Sequence, residues 1–215
     1  MYKAIFFDLD GTLVNTLEDL KEACNYALSK HGFNTVTTEF VCSCVGDGIR
    51  KLVERVVPEN TLVEVIDACF KDFENYYKSH LDVKTVPYDG ILELLKYSKE
   101  HNMLNIIVSN KFIQGVEKIA DTYFKGLIDL PLGPNGVLKT KPDLSMINYA
   151  MEKYNLNKKD ILYVGDSLVD IMTAHNANLN MITVTYGFRT KEQLQKSGYD
   201  LTFVDHPLEI IKYLE

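Results

Sequence analysis

The sequence predicts an α/β protein: a doubly wound parallel sheet that carries an inserted all-helical domain. Three observations predict it. Residues 4–7, Ala4-Ile5-Phe6-Phe7, form an apolar run without alternation, the pattern of a strand buried on both faces. From residue 83 onward, short apolar runs alternate with helix-period segments, the pattern of parallel strands joined by crossover helices. Between them, over roughly residues 15–82, apolar residues recur at helical spacing only. The first run belongs with the later strands. The expected organisation is therefore a core of residues 1–15 and 83–215, with 16–82 inserted after the first strand and hinges near 12–16 and 82–87.

Each element has its own signal. The first strand ends in Asp8 and Asp10, with Leu9 between them, and Gly11 permits an abrupt turn. Leu17, Leu20, Cys24, Ala27 and Leu28 mark a helix that His31-Gly32 stops. A short helix is expected over 39–44, broken by Val45-Gly46-Asp47-Gly48. Ile49, Leu52, Val53, Val56 and Val57 mark another, stopped by Pro58. Leu62, Val65, Ile66, Cys69, Phe70, Phe73 and Tyr77 mark a third long one. Asp89 is placed to cap a helix through Ile91, Leu94, Leu95 and Tyr97. A strand over 103–108 then runs into Ser109-Asn110-Lys111, followed by a helix from about residue 113 and an apolar segment over 127–132. A loop with Pro131, Pro134 and Gly136 leads to Lys141-Pro142-Asp143 and a helix through Met146, Tyr149, Ala150 and Tyr154. A strand over 161–164 ends in Gly165-Asp166-Ser167-Leu168-Val169-Asp170, and a helix runs on to Asn178. A strand over 180–185, a helix around 191–196, a short strand over 201–204 and a helix from Pro207 complete the chain.

Bulk properties exclude several classes. The 215 residues are 46% hydrophobic and 25% charged, as in an ordinary globular protein. The net charge of −7 comes without any basic run, so a nucleic-acid partner is not expected. An anionic substrate would need a local cation. No apolar stretch approaches the ~20 residues of a membrane span, and the N-terminus enters a strand without a signal-peptide pattern. A cytoplasmic protein without membrane partners is expected. The four cysteines lack zinc-type spacing, and Cys42-Ser43-Cys44 lacks the gap of a redox pair, so reduced, mostly buried thiols are expected.

Asp8, Ser109 and Asp166 each follow directly on a strand-like run, and Lys141 sits in a loop after another. Singly, each has a plain alternative: a helix cap for Ser109, Asp166 or Asp170, a solvated loop lysine for Lys141. Jointly they fall at the carboxyl edge of a parallel sheet, where such sheets bind ligands. Asp8, Asp10, Asp166 and Asp170 crowd negative charge, which is unfavourable without cations. Lys141 is one cation, and a hard divalent ion with oxygen ligands, Mg²⁺ by preference, is the expected second. Carboxylates, a lysine, a hydroxyl and Mg²⁺ suit phosphoryl transfer. One carboxylate can attack phosphorus, and a second, two residues on, can serve as general acid and base.

These motifs resemble the haloacid dehalogenase superfamily of phosphohydrolases over essentially the whole chain. Asp8-Leu9-Asp10-Gly11-Thr12-Leu13 resembles its first motif, Ser109 the second, Lys141 the third, and the run from Gly165 to Asp170 the fourth. The resemblance implies a Rossmann-like core and a C1-type cap for the helical insertion. It implies Asp8 as nucleophile and metal ligand, and Asp10 as general acid/base that offers its carbonyl to the metal. Asp166 is then the remaining metal carboxylate, with Asp170 acting indirectly. The backbone N–H groups after Asp8 and the Ser109 hydroxyl hold phosphate, with Asn110 alongside and Thr12 counted among the substrate-binding residues. Within the family the nearest likeness is to phosphoglycolate phosphatases. Val45-Gly46-Asp47-Gly48-Ile49-Arg50-Lys51 resembles their cap loop, which places Gly46, Arg50 and Lys51 toward substrate, although Arg50 and Lys51 equally read as surface charges. Ser109-Asn110-Lys111 and Thr185-Tyr186-Gly187-Phe188-Arg189 also resemble their motifs. The expected substrate is a small phosphorylated metabolite, 2-phosphoglycolate first, hydrolysed by a monomer or homodimer. Pyrophosphate, sugar phosphates and nucleotides are alternatives, as is a β-phosphoglucomutase-type mutase, against which Thr12 argues. A dehalogenase would lack Asp10. A catalytically silent binding protein is the non-enzymatic reading, and the intact motifs oppose it.

Overall fold

The computed structural model describes residues 2–214; residues 1 and 215 of the expected core lie outside the described residues. Strand β1 (Ala4–Phe7) leads through a turn to the two-residue strand β2 (Val14–Asn15). Helices α1 (Leu17–Lys30), α2 (Thr38–Cys44), α3 (Ile49–Val56) and α4 (Val63–His80) follow, then the two-residue strand β3 (Val86–Pro87). Strands and helices alternate thereafter: α5 (Ile91–Glu100), β4 (Leu104–Val108), α6 (Ile113–Tyr123), β5 (Leu130–Leu132), α7 (Ser145–Tyr154), β6 (Ile161–Gly165), α8 (Leu168–Ala177), β7 (Asn180–Val184), α9 (Lys191–Gln195) and β8 (Thr202–Val204). The chain ends in a 3₁₀ helix, Pro207–Tyr213. It forms two compact units, Met1–Val14 with Pro87–Glu215, and Asn15–Val86.

The first unit holds a six-stranded sheet in the order β5-β4-β1-β6-β7-β8, parallel throughout. The apolar runs of β1, β4 and β6 explain its centre, because strands covered on both faces have no reason to alternate. Phe6, Ile106 and Tyr163 point to one face, where Met146, Ile147 and Ala150 of α7 and Ala174 of α8 cover them. Ile5, Phe7, Ile107 and Val164, one step along, are buried too. Register fixes the functional edge: Phe7 pairs with Ile107 on one side and Val164 on the other. Asp8 is therefore level with the last residues of β4 and β6, and Ser109 and Asp166 lie one step beyond.

Four local expectations differ from the structure. Asp89 does not cap α5; Gly90, left-handed at φ +83°, occupies the cap, and no side-chain cap bond forms. Only the end of the 127–132 segment is strand, and Pro131, which lacks an N–H, fits because β5 is an edge strand. The final helix is 3₁₀, started by His206, whose Nδ1 accepts the Leu208 N–H at 3.2 Å. The strands β2 and β3 have two residues each, too few to leave a periodic signal.

The second unit packs its four helices on Leu20, Cys24, Leu28, Val41, Leu52, Val53, Cys69, Phe73 and Tyr77. The four cysteines are free thiols; three are buried and Cys42 is half-buried. Among the described residues no helix is long and apolar enough to cross a membrane. Buried Asp19 in α1 ties the segment after α4 back to α1. Its carboxylate accepts the Lys84 N–H at 2.9 and 3.0 Å, the Thr85 N–H at 2.8 Å and the Thr85 hydroxyl at 2.8 Å. Replacing Asp19 with Ala strands those donors in a dry place. It is expected to lower the stability of this unit by about 3 kcal/mol, read as a lower urea midpoint; an unchanged midpoint would show that water replaces the carboxylate at no cost.

Candidate active site

The site is assembled at the carboxyl edge of β1, β4 and β6. After Phe7 the backbone closes a tight turn. The Asp8 N–H donates to the Val164 carbonyl at 2.9 Å, and the N–H groups of Leu9, Gly11 and Thr12 are already bonded, to Asp8 Oδ1, the Val14 carbonyl and the Leu9 carbonyl. These three, among the N–H groups after Asp8 that were expected to meet phosphate, are bonded within the turn. Gly11 is at φ +92°, and a Cβ there would collide with the Asp166 carboxylate. Gly165 has the same role toward Asp170: a Cβ would occupy its carboxyl carbon.

Lys141 is buried, and its Nζ sits 2.7 Å from Asp8 Oδ1 and 2.7 Å from Asp170 Oδ1. Asn110 holds the loop that brings it there. The Asn110 Oδ1 accepts the Lys141 N–H at 2.6 Å, and its Nδ2 donates to the Lys141 carbonyl at 3.3 Å. Asn110 was expected beside phosphate; its amide instead clasps the lysine's backbone. Asp170 is saturated. Its Oδ1 accepts from Lys141 and from the Tyr163 hydroxyl at 2.9 Å, and its Oδ2 from the Ser167 N–H at 3.1 Å and the Ser167 hydroxyl at 2.5 Å. Asp8 Oδ1 is likewise engaged twice, by Lys141 and the Leu9 N–H at 2.7 Å. No hydrogen bond reaches Asp8 Oδ2 among the described residues.

Asp166 Oδ2 accepts the Phe188 N–H at 2.7 Å, while its Oδ1 meets the Thr12 hydroxyl only at 3.5 Å. Thr12, expected near substrate, is fully buried and turned toward Asp166. Ser109 Oγ accepts the Lys111 N–H at 3.2 Å, which leaves its hydroxyl hydrogen to donate. Lys111 itself reaches Asp10, with Nζ 3.0 Å from Oδ1 and 3.4 Å from Oδ2. The sequence reading placed one cation here and missed this second one. Its signal was present: a lysine three residues past the end of a buried strand. Tyr163 and Phe188 were also missed, because their parts depend on contacts between elements; Ser167 was missed although its spacing to Asp170 is that of a helix capping box.

The electrostatics follow from crowding. Burial pushes the Asp8 carboxyl well above the usual range; Asp170 and, more weakly, Asp166 add to this, and Lys141 opposes it. Burial, then the Asp170 charge, push Asp166 up to about 7. Burial pulls the Lys141 ammonium down, but Asp170 and Asp8 more than reverse it, so its pKa lies above the ordinary lysine value. Carboxylate oxygens of Asp8, Asp166 and Asp170 lie within 4.8 Å of one another. Hard oxygen donors carrying excess negative charge fit a divalent cation. With Asp170 saturated, the carboxylates of Asp8 and Asp166 are the ones left to it.

In the helical unit, Gly46 lies in the α2–α3 connection. Arg50 pairs with Glu54 at 2.9 Å and Asp67 at 2.6 Å and lies over the Phe70 ring; Lys51 pairs with Glu54 at 2.8 Å. Both cations are partnered where they stand, Arg50 half-buried and Lys51 exposed.

Fold and site together define an α/β protein in which carboxylates and a buried lysine converge at the end of a parallel sheet. The comparisons give the family. A family model of haloacid dehalogenase-like hydrolases matches residues 5–184. A phosphoglycolate phosphatase of Mannheimia succiniciproducens is 31% identical over 95% of each chain. An N-acetylmuramic acid 6-phosphate phosphatase of Pseudomonas putida is 28% identical over 99% of this chain and 96% of its own. The crystal structure of a candidate phosphoglycolate phosphatase from Lactobacillus delbrueckii subsp. bulgaricus superimposes with a TM-score of 0.93 at 29% identity, covering 99% of this chain and 98% of that one. The chain belongs to the haloacid dehalogenase-like hydrolase family.

A carboxyl that binds its proton more tightly folded than unfolded loses stability for the fold as pH rises. For Asp166 that window runs from the ordinary value of 3.8 to about 7. A divalent cation competes for the same oxygens. Saturating Mg²⁺ is therefore expected to raise the melting temperature more at pH 8 than at pH 5, against EDTA controls. Equal shifts at both pH values would place the bound ion elsewhere.

Proposed function

We propose that this phosphoric monoester hydrolase acts, with Mg²⁺, on the phosphomonoester of a small carboxylic acid, 2-phosphoglycolate first, through a phosphorylated Asp8. One observation carries the chemistry. Asp8 has one oxygen pinned by Lys141 and the Leu9 N–H and the other without a hydrogen-bond partner among the described residues, which leaves that oxygen to serve as a nucleophile. The substrate class is supported by the relatives' names. Phosphoglycolate and N-acetylmuramic acid 6-phosphate are both phosphate esters of molecules that carry a carboxylic acid.

Asp8 Oδ2 attacks phosphorus, and the bond to the leaving oxygen breaks. Asp10 donates its proton to that oxygen, then accepts one from the water that attacks the acyl phosphate, which frees phosphate and restores Asp8. Ser109 donates its hydroxyl hydrogen to a phosphate oxygen, and Lys141 balances the charge gathered at Asp8. The side chains of Asp8 and Asp166 and the Asp10 carbonyl would hold Mg²⁺, which would supply positive charge to offset that of the phosphate, with Asp170 acting indirectly. The helical unit is assigned the part of a cap, with Gly46, Arg50 and Lys51 directed to substrate.

Asp8→Asn is expected to lower phosphate release by at least roughly a thousandfold without unfolding the protein, checked by circular dichroism. Wild type is assayed with Mg²⁺ or EDTA on 2-phosphoglycolate, N-acetylmuramic acid 6-phosphate, pyrophosphate, β-glucose 1-phosphate, a nucleoside monophosphate and p-nitrophenyl phosphate. The carboxylic acid esters are expected to show the highest kcat/KM; a preference for pyrophosphate or the nucleotide would overturn the substrate class. Arg50→Ala is expected to raise KM for those two esters by about tenfold, the loss of one charge-assisted contact, while sparing p-nitrophenyl phosphate. Equal KM values would confine Arg50 to its surface pairs.

A further inference from the structure

One buried cation of the site has no part in the steps above. Lys111 stands three residues past the end of β4, and its side chain is 1% exposed. A surface lysine moves among rotamers and keeps its water, so its ion pairs hold little geometry. Lys111 has given up its water, which is unfavourable unless a partner is close and well placed. That partner is Asp10, met at both oxygens, 3.0 and 3.4 Å from Nζ. The lysine's backbone is fixed as well. Its N–H donates to Ser109 Oγ at 3.2 Å, and its carbonyl lies so close to Gly133 that a Cβ there would collide with it. One residue thus ties the Ser109 hydroxyl, the exit of β5 and the Asp10 carboxylate into a single arrangement.

We propose that Lys111 is a positioning residue that aims the Asp10 carboxyl at the leaving oxygen of the phosphoester. The proposal rests on the reading of Asp10 as general acid and base. Contact at two oxygens restrains rotation of the carboxyl about its own axis as well as the side-chain rotamer, which a single contact would not. No bond to Lys111 forms or breaks. The proton passes from Asp10 to the leaving oxygen, which keeps the electron pair of the broken P–O bond. A misaimed acid is most costly where the leaving group is poor, so the effect should follow the leaving group.

The test compares wild type, Lys111→Met and Lys111→Arg, with Asp10→Asn as control. The probes are p-nitrophenyl phosphate, whose leaving group needs little protonation, and the alkyl phosphate turned over best. For Lys111→Met, kcat on the alkyl ester should fall roughly 10- to 100-fold, and by a clearly smaller factor on p-nitrophenyl phosphate, with KM nearly unchanged. Lys111→Arg, which keeps the charge and offers two donors, should recover much of the loss. Unchanged kcat, a raised KM at constant kcat, or equal losses on both probes would each overturn the proposal, the second by making Lys111 a substrate contact. If Lys111→Met fails to fold, the same leaving-group comparison is made on Lys111→Arg, and a loss independent of leaving group would overturn it. Full activity in Asp10→Asn would instead remove the acid–base reading itself, whatever the Lys111 variants do.

Discussion

The buried ammonium of Lys141, held between Asp8 and Asp170, is the interaction on which the rest of the site depends. Three carboxylates with oxygens within 4.8 Å of one another would repel strongly in a dry setting. A cation 2.7 Å from two of them offsets that repulsion, and its own burial is offset in turn. The arrangement is stiff because each member is held by another. Tyr163 and Ser167 fix Asp170, Asp170 fixes Lys141, Asn110 fixes the lysine's backbone, and Lys141 fixes Asp8. A carboxylate positioned in this way, the proposed nucleophile, has little freedom left to lose on reaction.

The sheet supplies the geometry. Parallel strands in register deliver their carboxyl ends to one edge, so residues far apart in sequence meet without long connections. Crowding then restricts the small positions. Only glycine fits at 11 and 165, where the carboxylates of Asp166 and Asp170 occupy the space of a side chain. Four carboxylates face two buried ammonium groups there, and the remaining negative charge is what makes a divalent cation fit the oxygens left open.

The catalytic unit and the choice of substrate are separable problems. The sheet edge accounts for attack on a phosphate ester whatever alcohol is attached, and relatives of similar identity carry two different substrate names. Function resides in the site and its surroundings, not in the fold class.

Much of this was legible in the sequence. Unbroken apolar runs dictate buried parallel strands, because a strand covered on both faces cannot alternate. Asp8, Ser109 and Asp166, each directly after such a run, were therefore placed at one edge by pattern alone, and the carboxylate pair with a lysine called for a metal. The partnerships were not legible. That Asn110 clasps Lys141, that Tyr163 reaches Asp170, and that a second lysine meets Asp10 depends on which elements are neighbours and how far each loop reaches. Strand order and loop path carry no local signal. Identity and spacing told which chemical groups the chain brings to the edge; only packing in three dimensions decided which lone pairs and protons are already spent, because hydrogen bonds and ion pairs are settled by contact distances that no sequence interval encodes.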